Sequence, residues 1–243
     1  MKKILAIIGS PNSDKSNTMT FAIDFMKSVK DLFPDVEIEA ISIGTKNIGM
    51  CKGCWACTKV GKCIVKDDLE EIQTKMLESD LILLGSPVYV HQVSAQFKSL
   101  VDRLFIWIHM LALIGKPIIT VTTTAGTGAR PTEKYLRNVV EMLGGIPIGS
   151  IRAKAYQPNN FPKREFYLEK TKKIAKKVSL ILDGKRKIKP VLMNKLFFWG
   201  IKMKIANNPT RLAYEHNYWK EKKWLNKSYS KILKEIHLTT GST

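Results

Sequence analysis

Short apolar runs alternate, through the first 185 residues, with segments whose apolar residues recur every three or four positions. Residues 3–8 form a run that reads as a strand buried on both faces. From Thr18 onward, Met19, Ala22, Ile23, Met26 and Val29 share one helical face. Residues 36–43 alternate through Val36, Ile38, Ala40 (or Ile41) and Ile43, a second strand. Asp67-Asp68 opens a helix carrying Leu69, Ile72, Met76 and Leu77, its acidic residues at the positive N-terminal end. Residues 80–85 are a third strand, followed by a helix over about 94–109 with Phe97, Leu100, Val101, Leu104 and Phe105. Lys116-Pro117 leads into a fourth strand over 118–123. Pro131 fits the first turn of the next helix, which runs to about Leu143 and ends at Gly144-Gly145. A fifth strand over 146–155 and a lysine-rich helix over about 164–182 close the series.

Five strand–helix alternations predict an α/β fold, a doubly wound five-stranded parallel sheet with helices on both faces. Ligands in such sheets sit beyond the carboxyl ends of the strands, where strand order reverses. The loops there are 9–17, 43–66, 86–93 and 124–130, and they hold the unusual chemistry. Ser10, Asn12, Ser13, Ser16, Asn17 and Thr18 run into a helix N-terminus, where hydroxyls, amides and backbone N–H groups suit a phosphate. Neither G-x-x-x-x-G-K-[ST] nor G-x-G-x-x-G occurs there, which excludes the usual triphosphate and dinucleotide loops. Ser86-Pro87-Val88-Tyr89 places an aromatic ring on a stiff backbone. Thr124-Ala125-Gly126-Thr127-Gly128 offers small residues that a flat ring can approach closely.

All four cysteines, Cys51, Cys54, Cys57 and Cys63, fall inside loop 50–66 with the spacing C-x2-C-x2-C-x5-C. Such a set suits an iron–sulfur cluster or a zinc ion; a loop without metal is the plain alternative. Disulfides are disfavoured because nothing in the sequence points to export. Spacing sets the number of sulfurs and leaves the metal open.

Taken together, the Gly9-Ser-Pro hydroxyl loop, Cys54-x2-Cys57, Asp67-Asp68, Gly85-Ser-Pro-Val-Tyr89 and Lys98-x3-Asp102-Arg103 resemble the flavodoxin-like NAD(P)H-dependent FMN reductases. The compact four-cysteine run resembles, more narrowly, the iron–sulfur flavoproteins of that superfamily. The likeness covers about residues 1–185. It implies that residues 10–18 hold the FMN phosphate and that 87–89 and 124–126 line the isoalloxazine. It further implies a [4Fe–4S] cluster on Cys51, Cys54, Cys57 and Cys63, and structural roles for Lys98, Asp102 and Arg103. The implied activity is electron transfer from NAD(P)H, or from a reduced carrier, to a quinone, flavin or other small acceptor. No acid, base or nucleophile is required, since the chemistry belongs to the flavin. Of the four scattered histidines, His91, His109, His216 and His237, only His91 lies near the flavin loops. Two further readings are a non-enzymatic electron carrier that docks a ferredoxin-like partner and a zinc-stabilised flavodoxin-like protein. The superfamily's habit implies a homodimer or higher oligomer.

Charge divides the chain in two. Residues 1–151 carry 17 Lys+Arg against 15 Asp+Glu, whereas residues 152–243 carry 23 against 6, a balance of +17. Residues 1–185 are expected to form the FMN-binding domain, with 186–243 a basic, aromatic-rich helical extension. Residues 191–206 read as one helix with Leu192, Leu196, Trp199 and Met203 on one side, and about 210–236 as a second. The extension would pack on its own sheet or on a partner subunit, lie on a membrane surface, or cover the flavin. It carries no nucleic-acid motif. The N-terminal apolar run is too short for a signal peptide and no run would span a bilayer, so a cytoplasmic location is expected.

Overall fold

The computed structural model describes residues 1–158 and 160–240, the side chains of Asp14 and 237–240 excepted. The chain runs β1 (Lys2–Ile8), α1 (Asn17–Leu32), β2 (Val36–Ser42), α2 (Cys57–Val60), α3 (Leu69–Glu78) and β3 (Leu81–Pro87). It continues through α4 (Ala95–Arg103), α5 (Phe105–Met110), β4 (Pro117–Thr124), α6 (Ala129–Met142), β5 (Ile146–Lys154) and α7 (Arg164–Leu182). Three further helices, α8 (Leu192–Ala206), α9 (Ala213–Glu221) and α10 (Tyr229–Thr240), end it. The five strands are all parallel in the order β2-β1-β3-β4-β5. The expected doubly wound flavodoxin-like sheet is thus present, with strand order reversing between β1 and β3.

One face of the sheet packs α1 and α7 through residues such as Phe21, Phe25, Met26, Ala175 and Val178. The other packs α3 to α6 through Ile72, Met76, Phe97, Leu100, Leu136 and Val140. The strands β3 and β4 are buried nearly throughout, as strands covered by helices on both faces must be. At the switch point Gly9 and Gly85 let helices come close on opposite faces. A Cβ on Gly9 would stand 2.3 Å from Phe97 Cβ of α4, and one on Gly85 would stand 2.5 Å from Ile8 Cδ1 and 3.1 Å from Thr18 Cγ2 of α1.

Two expected helices are divided. The helix expected over 94–109 breaks at Leu104, whose N–H is shared between the Leu100 and Val101 carbonyls before α5 starts. The helix expected over 210–236 splits into α9 and α10, with Lys223 at φ 57° between them. Trp219 and Trp224 are both buried and meet edge to face at 5.6 Å. Five residues apart, they cannot share a helical stripe, so the chain has to turn between them.

The extension is joined to the domain by its own core. Phe198, Ile205, Trp219, Trp224, Tyr229, Ile232 and Leu233 are buried and continuous with the α1/α7 cluster. Trp219 Nε1 donates to the His109 carbonyl (2.9 Å), and the Tyr229 hydroxyl donates to Gly144 O (2.6 Å) while accepting from Gly115 N (3.3 Å). The reading of a tail packed on its own domain therefore describes this face. Replacing Trp219 with Ala should lower stability by about 3–5 kcal/mol through cavity formation, read from urea unfolding followed by far-UV circular dichroism. A loss below about 1 kcal/mol would mean that the tail docks without load on this residue.

Candidate flavin site and cysteine loop

The carboxyl ends of β1 and β3 are tied together where strand order reverses. Gly9 N donates to Gly85 O (2.8 Å), and the Ser94 hydroxyl at the start of α4 donates to Gly9 O. From this point the chain climbs through Ser10 to Ser16 into α1. Ser10 and Ser16 are buried, and Ser16 caps α1 by accepting from Met19 N (3.2 Å). Ser10 Oγ accepts from Asn12 N (3.3 Å), and Ser42 Oγ braces the Ser10 carbonyl from β2 (3.2 Å). Asn12 is exposed; Asn17 donates through Nδ2 to Gln157 O (3.1 Å). Thr18 differs from the others. It is fully buried, and its hydroxyl bonds Thr123 Oγ1 at 2.6 Å, so it ties α1 to β4 instead of lining the loop surface. The Ser10, Ser13 and Ser16 hydroxyls gather at the positive N-terminal end of α1, a setting that favours an anion.

The two loops read as a ring platform lie side by side. Val88 N donates to Thr123 O (2.8 Å), and Tyr89 and Gln92 bridge a tight turn with Val90 and His91 at positive φ. His91 Nε2 meets Thr127 Oγ1 at 2.9 Å, so the histidine joins the loops to each other. Thr124 Oγ1 donates to Thr127 O (2.7 Å) and accepts from Gly126 N (3.2 Å), which holds Ala125 and Gly126 in a small exposed turn. Pro87 and Val88 are half-buried, Tyr89 and Val90 exposed. Both loops therefore present an open, largely apolar surface braced from beneath.

The cysteine loop rests on one buried charge pair. Arg103, the last residue of α4, and Asp67 have side chains only 1% and 3% exposed, with Nη1–Oδ2 at 2.7 Å and Nη2–Oδ1 at 3.1 Å. Arg103 also donates to Gly49 O (2.8 Å), Val65 O (3.4 Å) and, through Nε, Cys63 Sγ (3.2 Å). Asp67 accepts from Gly49 N (3.0 Å) and Leu69 N (3.2 Å), so it also caps α3. Burial by itself raises the Asp67 pKa; the Arg103 guanidinium and the two N–H donors outweigh it and hold the carboxyl below its ordinary value. Asp68 holds the other end of the loop by accepting from Asn47 N (2.8 Å).

Cys51 and Cys54 are exposed, Cys57 and Cys63 half-buried, and all four thiols are free. Burial raises the Cys57 pKa, and Cys63, Cys51 and Cys54 raise it further, so the other three sulfurs lie within electrostatic reach of this one. Among the described residues, no three His, Cys, Asp or Glu stand close enough to hold a metal ion. The donor chemistry fits a thiolate-bound metal; the described arrangement leaves the sulfurs ungathered.

Two functional neighbours had little sequence signal. Arg103 has the structural role that the family likeness implies, and its reach to the cysteine loop depends on how α4 lies over the loop after β2. His109, one of the scattered histidines, is buried and bonds Glu215 Oε1 through Nδ1 (3.0 Å). Its ring packs at a tilt against Phe105 at 4.8 Å, and Phe105 meets Trp55 of the cysteine loop edge to face at 5.5 Å. Tyr214 lies over Gly61, where a Cβ would stand 1.9 Å from its ring. Hence α9 braces the cysteine loop from outside. The His237 side chain lies outside the described residues.

A parallel sheet of this order, with its strand order reversing between β1 and β3, is the flavodoxin-like fold. The profile of the NADPH-dependent FMN reductases matches residues 2–157, and the chain belongs to that family of FMN-dependent oxidoreductases. It is 28% identical to an iron–sulfur flavoprotein of Archaeoglobus fulgidus, covering 90% of this chain and 98% of that one. An iron–sulfur flavoprotein of Clostridioides difficile is 33% identical over 75% of this chain and 80% of its own length. Among solved structures, an FMN-dependent NADH-azoreductase from Bacillus anthracis in complex with FMN aligns with TM-score 0.56 at 16% identity. The alignment covers 74% of this chain and 99% of that one, a likeness of fold.

Removing one partner of the Arg103–Asp67 pair strands the other in the interior, so Asp67→Ala should destabilise the protein by about 3–5 kcal/mol. The pH dependence has a defined sign. A carboxyl with a lowered folded pKa contributes stability in full above its unfolded value and loses it as pH falls through the folded value. Urea midpoints measured from neutral pH downward should fall more steeply for the wild type than for Asp67→Asn. Parallel curves would show that the pair does not titrate with folding.

Proposed function

We propose that FMN binds along the carboxyl edge of β1, β3 and β4, with its phosphate on Ser10, Asn12, Ser16 and Asn17. The flavin ring would lie against Pro87, Val88, Tyr89, Thr124, Ala125 and Gly126. The observation that carries this reading is the joining of the hydroxyl-rich loop and the paired 86–93 and 124–128 loops to one switch point. Ser10 and Ser16 bind the phosphate by donating their hydroxyl protons, and the α1 N-terminus favours its charge. Thr18 acts from behind by locking α1 to β4. The His91–Thr127 bond keeps the ring platform in one shape. When bound, FMN supplies hydride acceptance and onward release of electrons, and a [4Fe–4S] cluster on the four cysteines supplies single-electron transfer.

The proposed donor is NADPH or NADH, and the proposed acceptor a small molecule such as a quinone, with the protein acting as a homodimer. The proposed cluster ligands are Cys51, Cys54, Cys57 and Cys63. Their support is the four-thiol donor set within thirteen residues and the Arg103 donor at Cys63. Relatives bearing the name iron–sulfur flavoprotein add weight to it.

The phosphate assignment predicts that Ser10→Ala and Ser16→Ala each weaken FMN binding by about tenfold, as loss of a hydrogen bond to a charged group does. Riboflavin, which lacks the phosphate, should bind both variants as it binds the wild type in a fluorescence-quenching titration. Equal losses for the two ligands would move the phosphate elsewhere. For the second cofactor, protein prepared without oxygen should contain iron and acid-labile sulfide in equal amounts, and Cys57→Ser should lose both while keeping FMN. Zinc in place of iron, or no metal at all, would overturn the cluster assignment and leave the flavin assignment intact.

A further inference from the structure

The helix α8 is apolar on two opposite sides. Its inner side holds the buried Phe198 and Ile205, and Asn194, whose Nδ2 donates to Gly145 O at 2.8 Å. At 100° per residue, Leu192, Met193, Leu196, Trp199 and Met203 fall on the opposite side within an arc of about 120°. All five are exposed, Leu192 at 71% and Trp199 at 61%. Lys195 and Lys204 stand at the two edges of this arc, both exposed, and the exposed Lys185, Arg186, Lys187 and Lys189 lead into the helix. A helix apolar all round is ordinarily buried all round. Here one side is covered by the domain, and the other forms an uninterrupted stripe bordered by cations.

We propose that this outer face of α8 is a docking surface for an anionic lipid bilayer, on which the helix lies in the interfacial plane. The stripe carries a single polar handle, the Trp199 indole N–H, which suits the boundary between headgroups and acyl chains. Nothing along it fixes a register, as a groove in a protein partner would require and a fluid lipid face would not. Charge selects the occupant. The excess of +17 over residues 152–243 opposes a second copy of the chain stacked face to face and favours an anionic surface. Among the described residues no helix is long and apolar enough to cross a membrane, so the contact is peripheral. The proposal is independent of the flavin and cluster assignments.

The test is flotation of the full-length protein with vesicles of phosphatidylcholine alone and of phosphatidylcholine mixed with phosphatidylglycerol. The protein should float with the mixed vesicles, remain behind with the neutral ones, and dissociate as added salt screens the lysines. Leu196→Gln combined with Trp199→Gln should reduce the partition coefficient by about tenfold or more, since it removes the two central apolar side chains of the stripe. Both residues are exposed, so the thermal midpoint and FMN content should match the wild type. A triple charge reversal at Lys187, Lys195 and Lys204 to Glu provides a second reading with the apolar face intact, and it should abolish flotation. Failure of the wild type to float with anionic vesicles would overturn the proposal, as would equal flotation of the wild type and the glutamine variant. A dimer in sedimentation equilibrium that the glutamine pair dissociates would assign the stripe to a second copy instead.

Discussion

The Arg103 guanidinium is the point on which the candidate redox edge depends. A buried cation costs several kcal/mol unless every side of it is satisfied, and here it is met by both Asp67 oxygens, two loop carbonyls and the Cys63 sulfur. Those partners come from both ends of a loop with little regular structure of its own. The helix after β3 therefore fixes the loop after β2, and with it the height of the cysteines above the sheet edge. The same Asp67 caps α3, so the loop's exit and the next helix's entry are set by one carboxylate.

A second set of ties fixes the edge proposed for the flavin, and its logic is close approach. Gly9 and Gly85 leave room for α4 and α1 at the switch point, Ser94 reaches back to Gly9, and Thr18 meets Thr123 across the sheet. The hydroxyl loop and the two ring loops thereby share one rigid foundation, although they come from three distant parts of the sequence. Rigid support beneath an open surface is what a bound planar cofactor needs, since ordering the loops at the moment of binding would weaken affinity.

The C-terminal helices serve two masters. Their inner residues complete the domain's core, through Trp219 on the His109 carbonyl and Tyr229 on Gly115 and Gly144, and α9 braces the cysteine loop through Tyr214. Their principal contacts are with one another and with α2, α5 and α6, so α9 stands beside the cysteine loop. The aromatic residues that suggested a flavin cover are mostly spent on this packing. What they leave outward is the stripe of α8 and its lysines.

The sequence alone determined the sheet and set the loops of unusual composition at the carboxyl ends of its strands. Apolar periodicity is local, and alternating strands and helices admit few right-handed parallel arrangements. Four cysteines in thirteen residues and a hydroxyl-rich helix entry are equally local signals. Tertiary structure alone decided the rest, because it concerns pairs far apart in the chain. Thr18 groups by sequence with the hydroxyl loop, but the partner of its own hydroxyl is Thr123, 105 residues away. His109 carries no local signal for its partner Glu215, which comes from α9, and the 210–236 helix had to break so that Trp219 and Trp224 could both be buried. Which side of an amphipathic or doubly apolar helix faces the core is likewise a property of what packs against it, and for α8 only the assembled molecule separates the covered side from the open one.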